Sequence, residues 1–192
     1  MRIIAGEKKG HKLASLAGNM TRPTADCVRE AIFSMIYDCE DLDVLDLFAG
    51  SGIMGFEALS RGAKSLESVE SSDKAVKIIL KNKDLLNYSD KAYVHHKKAD
   101  TFIKTTLKKY DLIFLDPPYE KGLVNLTLGA VYENNLPTED GLIVVEHSVR
   151  EKIWDDFQDY IEKQKKYGDT METIFNGRSE SEQKGDTDVA NL

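Results

Sequence analysis

A doubly wound, mostly parallel α/β sheet is the fold class this sequence predicts, and two observations predict it. After residue 42, short apolar runs alternate with amphipathic stretches in a β-α-β-α rhythm, and the runs are continuously apolar, as strands covered on both faces are. A glycine turn, Gly50-Ser51-Gly52-Ile53-Met54-Gly55, joins the first run to the first amphipathic stretch with the spacing G-x-G-x-x-G. That junction is where such sheets receive ligands.

Each element follows in order. TRPTADCVREAIFSMI predicts a helix with Thr24 as N-cap and Asp26 in its first turn. Its apolar stripe is Val28, Ala31, Ile32, Met35 and Ile36, and Arg22-Pro23 fixes an extended lead-in. The strands are DVLDLF (43–48), KSLESVE (64–70), KAYVHH (91–96), DLIFLD (111–116) and GLIVVE (141–146). Helices over 53–61, 73–86, 101–109 and 122–133 fill the intervals. DYIEKQKKYG and TMETIFN read as a closing strand pair around Gly168-Asp169, and the polar, aperiodic residues 178–192 predict a disordered tail.

Composition bounds the function. A chain of 192 residues suits one domain with a sizeable core. Neither a signal peptide nor the roughly 18-residue apolar run of a membrane span is present, so a cytoplasmic protein is expected. Cys27 and Cys39 lack metal or redox spacing and read as buried small apolar residues in a reducing compartment. His95-His96, His11 and His147 have no ligand-like spacing, and no metal is expected. Trp154 and Phe157 read as packing residues.

The net charge of −7 excludes a general nucleic-acid coat, yet Arg2, Lys8, Lys9, Lys12 and Arg22 face only Glu7 within residues 1–24. That arm suits local contact with a polyanion. The tail is acidic, with Glu180, Glu182, Asp186 and Asp188.

Right-handed crossovers bring the carboxyl ends of parallel strands to one edge. An acid stands at or just after each of the five: Asp46, Glu70, Asp100, Asp116 and Glu146. Ionised carboxylates are costly to bury without partners, so these acids point to ligand binding. Glu70 suits two ribose hydroxyls, as any adenosine cofactor requires. Asp46 discriminates among such cofactors. It would repel a pyrophosphate and attract an amino group or a sulfonium, which turns the reading from NAD to S-adenosylmethionine. In DPPY, two prolines fix the backbone and remove N–H donors beside the Asp116 carboxylate and the Tyr119 ring. An acceptor-rich cluster with one flat face suits a planar base carrying an NH₂ group.

Asp116-Pro117-Pro118-Tyr119 resembles motif IV of the amino-methyltransferases, VLDLFAGSG (44–52) their motif I, and Val69-Glu70 the acidic end of motif II. Together with RIIAG, the RPT helix segment, LIVVE and KKYGDT, residues 1–176 resemble the RsmD-like family, which methylates N2 of one guanine in 16S rRNA. The resemblance implies a class I methyltransferase, Rossmann-like fold of seven strands with the last antiparallel. It also implies a basic arm and helix (1–40) that bind RNA, a methyltransferase domain (41–177) and the tail (178–192).

By the same resemblance, cofactor contacts fall on Asp46, Phe48, Ala49, Gly50, Gly52, Glu70, Ser71, Asp100 and Thr101. Catalysis falls on Asp116, Pro117, Pro118 and Tyr119, and RNA contact on Arg2, Lys8, Lys9, Lys12 and Arg22. The partner implied is 16S rRNA in the small ribosomal subunit or an assembly intermediate, and a monomer is expected. The family's arm is usually richer in arginine; lysine keeps the charge and loses the bidentate fork. In this reading Asp116 and the Pro117 carbonyl accept the amine's N–H bonds, Tyr119 stacks on the base, and either Asp116 or water takes the proton. Rivals are an amino-methyltransferase of DNA or tRNA (adenine N6 or cytosine N4), an NAD oxidoreductase, and a non-enzymatic RNA-binding module. The last predicts decayed motifs, and these are intact.

Overall fold

The computed structural model describes residues 1–16, 23–36, 38–119 and 122–178, with the backbone alone for 23–25. Arg22 and residues 179–192 of the expected tail therefore lie outside the described residues. The chain forms two compact units, Met1–Thr106 and the part from Leu107 onward.

The first unit holds α1 (Pro23–Met35), β1 (Asp43–Leu47), α2 (Ile53–Ser60), β2 (Ser65–Glu70), α3 (Asp73–Leu86), β3 (Ala92–His96) and α4 (Ala99–Ile103). β1 and β2 pair in parallel with Val44 opposite Leu66, and β2 and β3 with Leu66 opposite Ala92. Val44, Leu45, Leu47 and Leu66 are fully buried, as continuous apolar runs demand. α3 is bounded as its ends dictate, by the Ser72 N-cap and by Asn87 in the left-handed conformation.

Three expectations here are corrected. Thr24 lies inside α1, which begins at Pro23, the favoured first position for proline. The buried stripe of α1 runs through Arg29, Ile32, Phe33 and Ile36, with Val28, Ala31 and Met35 only half-buried. Arg29 can go inside because its guanidinium donates to Asp26 (3.0 Å) and to the Arg2 carbonyl (2.8 Å) and lies 3.8 Å from the buried Glu57. The helix expected over 101–109 is α4, starting at Ala99 and ending at Ile103; its C-terminal carbonyls are met by the Thr105 hydroxyl, which donates to Thr101 and Phe102.

The first residues form a small hairpin, with Arg2 bridged to Lys12 and the Ile3 and Leu13 side chains buried. It is laced to α2. The Ile4 and Ala5 N–H groups donate to the Glu57 carboxylate (2.8 and 3.0 Å), and the Ser60 hydroxyl donates to the Ala5 carbonyl (2.6 Å). Gly6 has φ +79°, and a Cβ there would stand 1.7 Å from the Ser60 carbonyl oxygen, so only glycine fits.

The second unit holds β4 (Tyr110–Leu115), α5 (Leu123–Glu133), β5 (Pro137–Ser148), a 3₁₀ turn (Asp155–Tyr160), β6 (Ile161–Tyr167) and β7 (Thr170–Asn176). β4 and β5 are parallel, with Ile113 opposite Ile143. β7 runs antiparallel to both β5 and β6, and the β6–β7 turn passes through Gly168 at φ +62°. β5 is longer than the expected 141–146. Strand order across the seven-stranded sheet is β3-β2-β1-β4-β5-β7-β6, mostly parallel with the last strand in sequence antiparallel, as expected. Cys39 is buried, whereas Cys27 is exposed, contrary to the reading of both as interior residues. Phe157 is buried, and Trp154 stacks on it (centroids 6.3 Å apart) while remaining half-exposed. Among the described residues no helix is long and apolar enough to cross a membrane.

Candidate active site

The glycine turn of the first unit is built from three left-handed residues, Phe48 (φ +62°), Gly50 (φ +57°) and Gly52 (φ +78°), which reverse the chain between β1 and α2. The glycines divide the work. A Cβ on Gly52 would lie 2.7 Å from the Phe56 ring, and one on Gly55 would lie 2.5 Å from Leu66, so these two seat α2 against the sheet. Around Gly50 the nearest atom is the Phe48 carbonyl oxygen at 3.9 Å, so that stretch of backbone can be approached closely.

Glu70, at the end of β2, locks the turn. One carboxylate oxygen accepts the Gly50 N–H (2.9 Å) and the other accepts the Ser72 N–H (2.7 Å), tying the glycine turn to the start of α3. Ala49 donates to the Val69 carbonyl (3.1 Å), and the exposed Ser71 has its carbonyl beside His96 Nε2 (3.1 Å).

Asp46 lies beneath the turn, buried, and accepts the Gly55 N–H (3.2 Å). Burial pushes its carboxyl up to about 7; the Gly55 bond opposes that and the Glu70 charge adds to it. Asp100 and Thr101 are exposed in the first turn of α4, with the Thr101 hydroxyl 3.4 Å from the Asp100 carboxylate. Lys97 N–H donates to the Glu70 carbonyl (3.1 Å), which brings the start of that segment to the end of β2.

In the second unit DPPY follows β4 directly. Asp116, Pro118 and Tyr119 are exposed and Pro117 is buried. The Tyr119 hydroxyl donates to the Glu146 carboxylate on β5 and lies 3.2 Å from the Thr170 hydroxyl on β7. Tied at its tip, Tyr119 is still 44% exposed. Burial, and then the bond to Glu146, raises the phenol above its ordinary value.

Sequence reasoning named Glu146 as a strand-end acid without finding its partner. It missed Glu172 on β7, which is fully buried directly opposite Glu146. Burial first, then the Glu146 and Asp116 charges, pushes Glu172 up to about 9. A lone acid in TMETIF carries no signal that could have revealed this.

Of the expected RNA-contact residues, Lys9 and Lys12 are exposed on the N-terminal hairpin. Arg2, also exposed, lies 3.6 Å from Asp26. Lys8 is less accessible, with its ammonium 3.9 Å from Glu7 and 5.4 Å from the Tyr88 ring centroid.

Comparison with known proteins places this geometry in company. Residues 1–176 match the model of a family described as conserved hypothetical protein 95. The chain is 38% identical over 183 residues to YlbH of Bacillus subtilis, whose name marks it as a candidate rRNA methyltransferase; the match covers 93% of this chain and all of that one. It is 37% identical over 150 residues to ribosomal RNA small subunit methyltransferase D of Haemophilus influenzae, covering 76% of this chain and 78% of that one. Among solved structures, an Escherichia coli protein titled as a candidate methyltransferase, yhhF, superposes with a TM-score of 0.82 at 29% identity, covering 94% of this chain and 99% of that one.

Proposed function

We propose, because this chain belongs to the conserved hypothetical protein 95 family, the RsmD family, that it is an rRNA methyltransferase. Its reaction is the S-adenosylmethionine-dependent methylation of the exocyclic N2 amine of a guanine in 16S rRNA. The relatives' names support the substrate class. The observation that carries the chemistry is the Tyr119 ring, anchored by Glu146 and Thr170 beside an exposed carboxylate and two prolines.

The first unit fits the cofactor. Gly50 leaves room for close approach, and each Glu70 oxygen, taking one backbone N–H, keeps a lone pair for a ribose hydroxyl. Asp46 meets the amino-acid end, with Phe48, Ala49 and Gly52 in the turn and Ser71 just after β2. Asp100 and Thr101 serve the adenine. When bound, S-adenosylmethionine supplies a methyl group already activated on a positively charged sulfur.

The residues of the second unit act on the base. Its exocyclic amine is a weak nucleophile because the lone pair is delocalised into the ring. Asp116 and the Pro117 carbonyl each accept an N–H, turning the nitrogen toward tetrahedral geometry and freeing the lone pair. Tyr119 stacks on the base and fixes its plane, while Pro118 holds the turn. Such positioning is worth up to about 7–11 kcal/mol at its favourable limit. The proton released as the N–C bond forms passes to Asp116 or to solvent at that exposed rim. Extruding the base costs roughly a few kcal/mol, less from a loop than from a duplex.

Residues 1–40 act as the RNA-facing extension, through Arg2, Lys9 and Lys12 on the hairpin, with Lys8 behind them. Residues 41–177 form the methyl-transfer domain, working as a monomer on the small subunit or an assembly intermediate.

The test is incubation of the protein with labelled S-adenosylmethionine and small subunits from cells lacking it, followed by mapping of the label. Label on a guanine N2 of 16S rRNA is expected; label only on DNA or tRNA would replace the substrate assignment. Asp116→Ala should lower transfer by about 10²–10³-fold, the scale of losing one oriented polar partner, with cofactor affinity retained. Glu70→Ala should instead weaken cofactor binding, measured by calorimetry, and an unchanged affinity would contradict its assignment.

A further inference from the structure

Behind the Tyr119 platform stands an acid that methyl transfer as described does not use. Glu172 is fully buried, and no N–H or hydroxyl donor reaches its carboxyl oxygens; the group it can bond is the Glu146 carboxylate, to which it donates only while it keeps its proton. It lies directly opposite Glu146 in the β5–β7 pair, and Glu146 holds the Tyr119 hydroxyl. Two carboxylates opposed across an antiparallel pair repel one another when both are charged.

The other groups on this sheet face offer no relief. Thr170 lies two residues along β7 and engages Tyr119, and Ser148 on β5 accepts the Arg150 N–H (3.2 Å). Lys165, opposite Glu172 on β6, carries its ammonium 5.3 Å from the Tyr167 ring centroid. Asp116, after β4, is a further negative charge that disfavours ionisation of Glu172.

We propose that Glu172 is a positioning residue for the methyl-transfer reaction: as the neutral half of a carboxyl pair with Glu146, it leaves the Glu146 carboxylate on the Tyr119 hydroxyl and so keeps the stacking ring in place. The proposal rests on the amino-methyltransferase reading of DPPY. Ionising Glu172 would set a second negative charge behind Glu146 and release Tyr119. With the acid pushed up to about 9, that release belongs to the alkaline side.

The test compares the full-length wild-type protein with E172Q and E172A. Infrared spectra at neutral pH should show the C=O stretch of a neutral carboxylic acid that E172Q removes; its absence from the wild type overturns the proposal. Transfer of labelled methyl to small subunits should fall by about tenfold between about pH 8 and 10 in the wild type and stay level in E172Q. E172A should be slower by about tenfold throughout, and E172Q should restore most of that loss. Profiles of wild type and E172Q that superpose overturn the proposal.

One readout needs no activity. With tyrosine isotopically labelled and its Tyr119 resonance identified through Y119F, that resonance should move over the same pH range in the wild type and not in E172Q. A resonance that ignores pH, or moves equally in both, overturns the positioning role. If the wild type transfers no methyl at any pH while the resonance behaves as expected, the reaction assignment falls and the carboxyl pair stands.

Discussion

Glu57 in α2 and Glu172 in β7 are both fully buried, and their surroundings are opposite. Glu57 receives two backbone N–H groups from the N-terminal hairpin and stands against two guanidinium groups, Arg61 at 2.9 Å and Arg29 at 3.8 Å. Glu172 receives no hydrogen bond and meets other carboxylates. Burial alone therefore says little about what an acid does. Given donors, it becomes a strut that pins separate chain segments to one helix. Denied them, it keeps its proton and turns sensitive to pH. Asp46 stands between the two, with one backbone donor.

The largest effect expected from this contrast is on stability. Glu57→Ala leaves the Arg61 guanidinium and two N–H groups without their acceptor, while Arg29 keeps Asp26 and the Arg2 carbonyl, and should cost about 3–5 kcal/mol in urea unfolding, as breaking a buried ion pair does. A loss below about 1 kcal/mol would mean the hairpin is held by something else.

Glu172 predicts a slope instead of a step. Its folded value, about 9, lies above its ordinary 4.5, so in that window the folded chain holds a proton the unfolded chain has released. Its contribution to stability should then be full below pH 4.5 and be lost progressively as pH rises toward 9. The check is the difference between wild type and E172Q in denaturant midpoints from pH 5 to about 9, where E172Q removes that decline. Parallel curves would place Glu172 among ordinary ionised acids.

Asp46 gives the smallest effect, one that bears on the proposed cofactor site. With its carboxyl near 7, it must lose a proton before it can hold an amino group. S-adenosylmethionine affinity should fall by up to about tenfold per unit as pH drops below 7. Asp46→Asn should bind weakly and lose the pH dependence. Calorimetry at several pH values decides it.

These three acids also measure how much the sequence disclosed. The strands were legible to within about a residue at most ends, because runs such as DLIFLD leave little room for another reading. Asp46, Glu70 and Asp116 were legible because each stands at or beside a strand end with a glycine turn or proline pair next to it. The stripe of α1 was misread by one position because it contains Arg29, and an arginine reads as surface until its partners are known. Those partners include Glu57, 28 residues on. Tyr119 and Thr170 are 51 residues apart, and no local pattern announces their meeting. The helix expected over 101–109 shrank to α4 because Thr105 caps what periodicity would have extended.

The last of the described strands, β7, occupies an inner position, between β5 and β6. Until residue 176 has left the ribosome, β6 has no neighbour and β5 keeps one open edge. Thr170 arrives with that strand and helps anchor the Tyr119 hydroxyl, so the Tyr119 ring is fully held only once β7 has entered the sheet.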